Sequence, residues 1–69
     1  MGLAERVKEK RQEMKLTQTE LAELTGVSQQ GINRLESGFI SKPRFLYELS
    51  KALQCDIEWL ISGKQSGYG

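Results

Sequence analysis

Two short helix signals separated by a tight turn constrain this 69-residue chain more than any other feature of its sequence. Thr17 and Glu20 form a capping-box pattern, which predicts a helix that begins there. Gly26 can adopt the left-handed conformation that ends a helix, and Ser28 is a favoured N-cap for a further helix over about residues 29–36. A single residue separates the two signals, so the second helix is predicted to cross the first steeply and to protrude.

The remaining apolar periodicity predicts three more helices and an all-α fold class. A first helix is predicted over about residues 3–14, a fourth over 45–53, and a short fifth that begins after Asp56 as its N-cap. Within the second helix, Leu21 and Leu24 are expected to face inward. The pattern therefore predicts a compact domain of five short helices.

The chain is long enough for one domain only, which we assign to residues 1–63, with the helix-turn-helix unit at about 17–37. Residues 64–69 are rich in Gly and Ser, so a flexible tail or the start of a linker is predicted there. The single cysteine excludes an internal disulfide, and no apolar run reaches the roughly 20 residues needed to span a bilayer. We expect a cytoplasmic protein with no membrane partner.

Residue types suited to catalysis are scarce. The chain has no histidine, Cys55 has no plausible base, and neither a Gly-rich phosphate loop nor an acidic cluster with metal-ligand spacing is present. We therefore expect no enzymatic activity, no cofactor, no metal site and no small-molecule ligand. The net charge of +1 does not by itself indicate a nucleic-acid partner.

The predicted third helix has an unusual polar face. Ile32 and Leu35 share its apolar face. The opposite arc carries side chains that can make paired hydrogen bonds, namely Gln29, Gln30, Asn33 and Arg34. Amides can pair with adenine and a guanidinium with guanine in the major groove of DNA. These four side chains are predicted to contact bases, the alternative being a solvated face that is rich in amides.

Groups that flank this helix are candidates for contacts to the DNA backbone. Thr17 and Gln18 lie at the start of the second helix, where backbone amides and the helix dipole favour a phosphate. The alternative is that Gln18 is simply a polar residue at a helix N-terminus. Lys42 and Arg44, with the amides of Arg44 and Phe45, lie in a loop that could reach the backbone, or that is simply solvated.

Two groups of residues could have either a structural or an interface role. Arg11 can pair with Glu36 and so join the first and third helices, or it can contact a phosphate, and we favour the ion pair. Trp59, Ile57 and Phe45 can complete a small core or form a surface between two copies, and we favour the core.

A competing function for the whole fold is that of a protein-interaction module such as an antitoxin, but an apolar partner would favour aromatic or leucine anchors on the third helix.

The segment from Arg6 to Gly63 resembles the N-terminal DNA-binding domain of lambdoid phage repressors and Cro proteins, within the wider XRE-like family and especially its 434-type repressors. The matching stretches are Arg6-Val7-Lys8, Lys10-Arg11, Thr17-Gln18-Thr19-Glu20-Leu21-Ala22, Gln29-Gln30, Leu35-Glu36, Pro43-Arg44-Phe45-Leu46 and Trp59-Leu60. The resemblance implies a lambda-repressor-like fold in a phage or prophage transcriptional repressor. It also implies binding to a pseudo-palindromic double-stranded DNA operator as a homodimer, at the nucleoid of a bacterial host cell.

The resemblance also implies roles for individual residues. The family glutamines that match Gln29 and Gln30 contact base edges. The family glutamine that matches Gln18 holds a phosphate and also supports the glutamine that matches Gln29. Where the 434-type repressors have a third base-contacting glutamine, this chain has Arg34, so its site should differ and favour guanine at that base pair.

The arginine that matches Arg44 lies along the minor groove, and the Arg11 and Glu36 equivalents form an ion pair. A departure affects the loop before Arg44, where Phe39-Ile40 replaces a polar pair. Full-length repressors of the family add a C-terminal dimerisation domain, so we expect this chain to be the N-terminal part of a longer protein.

Overall fold

The computed structural model describes residues 2–40 and 43–63, which form five α-helices joined by short turns. These are α1 (Leu3–Glu13), α2 (Gln18–Thr25), α3 (Gln29–Glu36), α4 (Leu46–Ala52) and α5 (Ile57–Ser62). No strand occurs in the described ranges, and the predicted five-helix, all-α fold is confirmed. None of these helices is both long enough and apolar enough to span a lipid bilayer. The predicted tail, residues 64–69, lies outside the described residues.

The signals at the ends of α2 and at the start of α3 act as the sequence predicts. The Thr17 hydroxyl accepts a hydrogen bond from the Glu20 amide at 3.0 Å, and the Glu20 carboxylate accepts one from the Thr17 amide at 2.8 Å. Gly26 ends α2 with a φ of +73°, in the left-handed region that glycine tolerates. The Ser28 hydroxyl then caps α3 by accepting from the Gly31 amide at 3.1 Å.

The core is a single cluster to which all five helices or their C-caps contribute. Its fully or almost fully buried apolar residues are Val7, Leu21, Ala22, Ile32, Leu35, Leu49, Leu53 and Leu60. Phe45 and Trp59 are partly buried against this cluster, which is the core role favoured for them, whereas Ile57 is partly buried without packing against it. The Lys10 ammonium group lies 5.5 Å from the centre of the Trp59 ring and so connects α1 to α5.

Two details of the helices differ from the prediction. Leu24 is exposed, and α2 buries Thr25 in its place, because the buried stripe follows Leu21 and Ala22 on the other side. Thr25 tolerates burial because its hydroxyl donates to the Leu21 carbonyl at 2.9 Å. Asp56 occupies the N-cap position of α5, but its side chain makes no capping hydrogen bond.

Arg6 makes a contact between the ends of the chain that no local pattern indicates. Its side chain is buried, with 6% of the residue exposed. The Nε group donates to the Leu60 carbonyl at 2.8 Å, and the Nη2 group donates to the Ile61 carbonyl at 2.7 Å. A guanidinium at the carboxyl end of α5 satisfies carbonyls that have no partner within the helix and complements the helix dipole.

Candidate nucleic-acid interface

The outer face of α3 is a continuous polar surface. Its four predicted base-contacting side chains are Gln29, Gln30, Asn33 and Arg34, and all four are exposed. At 100° per residue they span an arc of about 140°. Ile32 and Leu35 on the opposite side are fully buried, so the core fixes the direction in which this arc points.

The turn before α3 explains the glycine within the helix. An added Cβ at Gly31 would lie 2.8 Å from Cγ1 of Val27 and 3.4 Å from the Ser28 hydroxyl oxygen. Val27 is partly buried against the core between the two helices, which is the space that a side chain at Gly31 would need. Gly31 therefore allows the turn to pack closely against α3, and this contact accounts for a residue that weakens the helix.

Gly31→Ala is accordingly expected to lower the free energy of unfolding by about 1 kcal/mol. Overpacking against Val27 should cost about 2 kcal/mol, whereas the better helix propensity of alanine returns about 1 kcal/mol. Urea denaturation of the variant measures the difference. In a Val27→Ala background the clash is absent, and the same substitution should stabilise the domain. Stabilisation of the otherwise unchanged chain would show that the contact is unimportant.

An ion pair anchors the carboxyl end of α3 to α1. Arg11 Nε donates to Glu36 Oε2 at 2.7 Å, and Arg11 Nη2 donates to Glu36 Oε1 at 3.1 Å. The side chains are only 12% and 4% exposed, respectively. Arg11 Nη1 also donates to the Leu16 carbonyl at 2.7 Å. The two-point contact fixes the orientation of both planar groups, since each is held at two atoms.

Gln18 extends this pair to the polar face. Its side-chain amide nitrogen donates to Glu36 at 3.2 Å, and its oxygen accepts from the Asn33 side chain at 3.4 Å. The side-chain amide of Gln18 thus joins the buried carboxylate to one of the four candidate base contacts. Gln18 contacts Asn33 in this structure, whereas the family resemblance implied a contact to Gln29.

The predicted backbone-contacting residues lie at the starts of two helices. Thr17 is the exposed N-cap of α2, and Gln18 follows it. Arg44 is exposed directly before Phe45, the N-cap of α4, and the buried Pro43 holds that segment against the domain. Lys42 lies outside the described residues.

Phe39 was not among the predicted site residues, yet its side chain lies beside the polar face. It lines a concavity of about 430 Å³ together with Gln30, Asn33 and Arg34. It is also 81% exposed, the largest fraction among the exposed large apolar residues of the described chain. The replacement of a polar pair by Phe39-Ile40 was the signal in the sequence that could have identified it.

Cys55, the single cysteine of the sequence, lies in an environment that disfavours a nucleophilic role. Burial raises the pKa of the Cys55 thiol, which disfavours the nucleophilic thiolate form. The chemistry that the described surface offers is hydrogen bonding by amides and a guanidinium, at fixed positions on a rigid helix.

Comparison with known proteins identifies relatives of this arrangement. A family model described as helix-turn-helix matches residues 7–60. The HTH-type transcriptional regulators for conjugative element R391 of Providencia rettgeri and for conjugative element SXT of Vibrio cholerae are each 34% identical over 61 residues. These matches cover 88% of this chain but 28% of each regulator, so the chain spans little more than a quarter of their length.

Two solved structures have the same fold. The crystal structure of the P22 c2 repressor in complex with synthetic operator 9T matches with a TM-score of 0.87 and 32% identity, covering 93% of this chain and 98% of that one. The solution structure of the DNA-binding domain of the same repressor matches with a TM-score of 0.85 and 31% identity, covering 100% and 92%.

Proposed function

Because this chain belongs to the helix-turn-helix family of DNA-binding transcriptional regulators, we propose that it recognises one specific double-stranded operator with α3 in the major groove. The regulator would be a repressor of the phage or prophage type. The P22 c2 repressor, which shares the fold at 32% identity, was crystallised with a synthetic operator. That similarity supports the proposal at the level of the whole domain.

The observation that carries the proposal is the arc of two glutamines, one asparagine and one arginine on α3. The amides of Gln29, Gln30 and Asn33 match the paired donor and acceptor of adenine, and Arg34 matches the two acceptors of guanine. A solvated helix would gain more stability from Glu, Lys and Ala at these positions. The arc also stands on a rigid base, since buried residues and the Glu36–Gln18–Asn33 contacts hold it in place.

Contacts to phosphates would position α3 in the groove. Thr17 and Gln18 lie at the positive end of α2, and Arg44 and Phe45 lie directly before α4. The two sets provide a hydroxyl, an amide, a guanidinium and backbone N–H groups. We propose the same role for Lys42, which the structure does not describe. With a net charge of only +1, affinity would depend on these local groups instead of the overall charge.

We further propose that two copies bind a pseudo-palindromic operator. An eight-residue α3 is about 12 Å long, which corresponds to about four base pairs at 3.4 Å each. Four base pairs recur too often to mark one site, whereas a two-fold pair of domains doubles the sequence that is read. The two half-sites should then lie about one helical turn, roughly 34 Å, apart.

Selection of binding sites from a pool of random duplexes, followed by footprinting, tests the function directly. The unchanged chain should select a two-fold site, and Arg34→Ala should lose about 1–3 kcal/mol of discrimination at one base pair of each half-site. Lys8→Ala is the matched control, because it removes one exposed positive charge on α1. Any effect of Lys8→Ala is expected to be the same for every sequence. If Arg34→Ala also weakens binding to every sequence equally, then Arg34 contacts no base.

A further inference from the structure

Phe39 exposes a large apolar side chain beside a surface that otherwise offers only hydrogen-bonding groups. Solvent contacts 81% of it, although the neighbouring Ile40 is partly buried against the core. We propose that Phe39 is a specificity-determining residue that contacts the C5 methyl group of a thymine, next to the bases contacted by Gln30 and Arg34. The inference rests on the proposed function, because it assigns Phe39 to the same DNA-binding face.

The backbone at the end of α3 holds Phe39 in position. The Phe39 amide donates to the Arg34 carbonyl at 3.0 Å, and the Gly38 amide donates to the Leu35 carbonyl at 3.1 Å. With Gly38 at a φ of +84°, this is the Schellman arrangement that closes a helix. Ile40 anchors the chain on the other side. The Cα of Phe39 is therefore fixed relative to the polar arc of α3.

The usual role of an apolar residue at this position, which is packing within the domain, does not explain the presence of Phe39. In a Schellman motif the residue after the left-handed glycine commonly packs against an apolar side chain in the last turn of the helix. The two helix positions that this contact uses are here Arg34 and Asn33, which are both polar, and Phe39 remains 81% exposed. Phe39 thus contributes little to the packing of the free domain, which leaves its surface available for a contact outside it.

The shape and chemistry of its surroundings favour a thymine methyl as that contact. Phe39 forms one wall of a concavity of about 430 Å³ whose other walls are Gln30, Asn33 and Arg34. The thymine methyl is the main apolar group that base edges expose in the major groove, and phenylalanine is among the side chains that contact it. An adenine that is contacted by an amide side chain is itself paired with a thymine, whose methyl group lies in the same groove.

Uracil tests this contact without altering any hydrogen bond, because it lacks only the methyl group. The duplex selected by the unchanged chain is synthesised with uracil at one thymine position at a time, and dissociation constants are measured. We expect one position in each half-site to bind about fourfold more weakly, the factor that corresponds to the burial of one methylene-sized group. In Phe39→Ala, thymine and uracil at that position should bind equally well. Tyr47 is another exposed aromatic residue but lines no part of this concavity, so Tyr47→Ala should keep the preference for thymine.

The outcomes separate this inference from the proposed function. If the chain selects a duplex but no thymine responds to uracil, or if Phe39→Ala keeps the response, then Phe39 does not contact a methyl group. If Phe39→Ala instead abolishes self-association measured by sedimentation and leaves the uracil response intact, the ring belongs to a contact between copies. If no duplex is selected at all, the proposed function fails and this inference fails with it.

Discussion

Glu36→Leu is expected to lower the free energy of unfolding by about 3–5 kcal/mol, the cost of leaving one member of a buried ion pair without its partner. The Arg11 side chain is 12% exposed, so its charge cannot regain full hydration when Glu36 is removed. Since a domain of this size is stable by only about 3–10 kcal/mol, the variant should be close to unfolding at 25 °C. Urea denaturation followed by circular dichroism measures the loss.

A matched control and a double variant make this result specific to burial. Glu13→Leu removes the partly exposed Lys10–Glu13 pair, which spans 3.6 Å, and should cost less than about 1 kcal/mol. Arg11→Met combined with Glu36→Leu removes both charges and should recover most of the stability, even if the single variant is unfolded. A double variant that is no more stable than Glu36→Leu alone would contradict the role assigned to the unpaired charge.

Arg6→Met is expected to cost about 3 kcal/mol, because it removes two short hydrogen bonds from a charged donor to the last turn of α5. For a chain of this length the melting temperature should fall by roughly 12–24 °C. The fluorescence of Trp59, the only tryptophan, reports the detachment of α5 directly, because its ring is partly buried against the core. Thermal unfolding should therefore be followed by this signal and by circular dichroism together.

Two variants of α1 provide the comparison for Arg6. Lys8→Met removes an exposed charge from the same helix and should change stability by no more than about 0.5 kcal/mol. Arg6→Lys keeps the charge but lacks the planar fork that reaches the Leu60 and Ile61 carbonyls, so it should recover only part of the loss. Equal stability of Arg6→Met and Lys8→Met would show that the contact with α5 adds nothing to the fold.

The elements that could be predicted from the sequence are those that depend on neighbouring residues. The capping box of Thr17 and Glu20, the left-handed Gly26 and the Ser28 cap each act over four residues or fewer, and each is present as predicted. The apolar periodicity likewise identified the fully buried Ile32 and Leu35. The polar arc of α3 followed from that periodicity, because the exposed side of a helix is determined once its buried side is known.

The features that sequence reasoning missed depend on residues that are distant along the chain. The burial of Arg6 could not be predicted, because nothing near it in the sequence indicates that the Leu60 carbonyl, 54 residues away, accepts its hydrogen bond. Leu24 was expected to be buried, but the close packing of Ala22 moved the buried stripe towards Thr25. The position of Phe39 beside Gln30 depends on the path of the chain after α3, and the periodicity within the helix gives no information about that path.

The apolar anchors of α3, Ile32 and Leu35, lie on the side away from its exposed arc, and this separation has an evolutionary consequence. Gln29, Gln30 and Arg34 are exposed, so exchanging them should change folding stability by no more than about 0.5 kcal/mol each. Asn33 is the exception, since Gln18 connects it to the buried carboxylate of Glu36. Under the proposed function, lineages that share this fold can therefore acquire new targets by a few point mutations at three tolerant positions, without first acquiring a more stable scaffold.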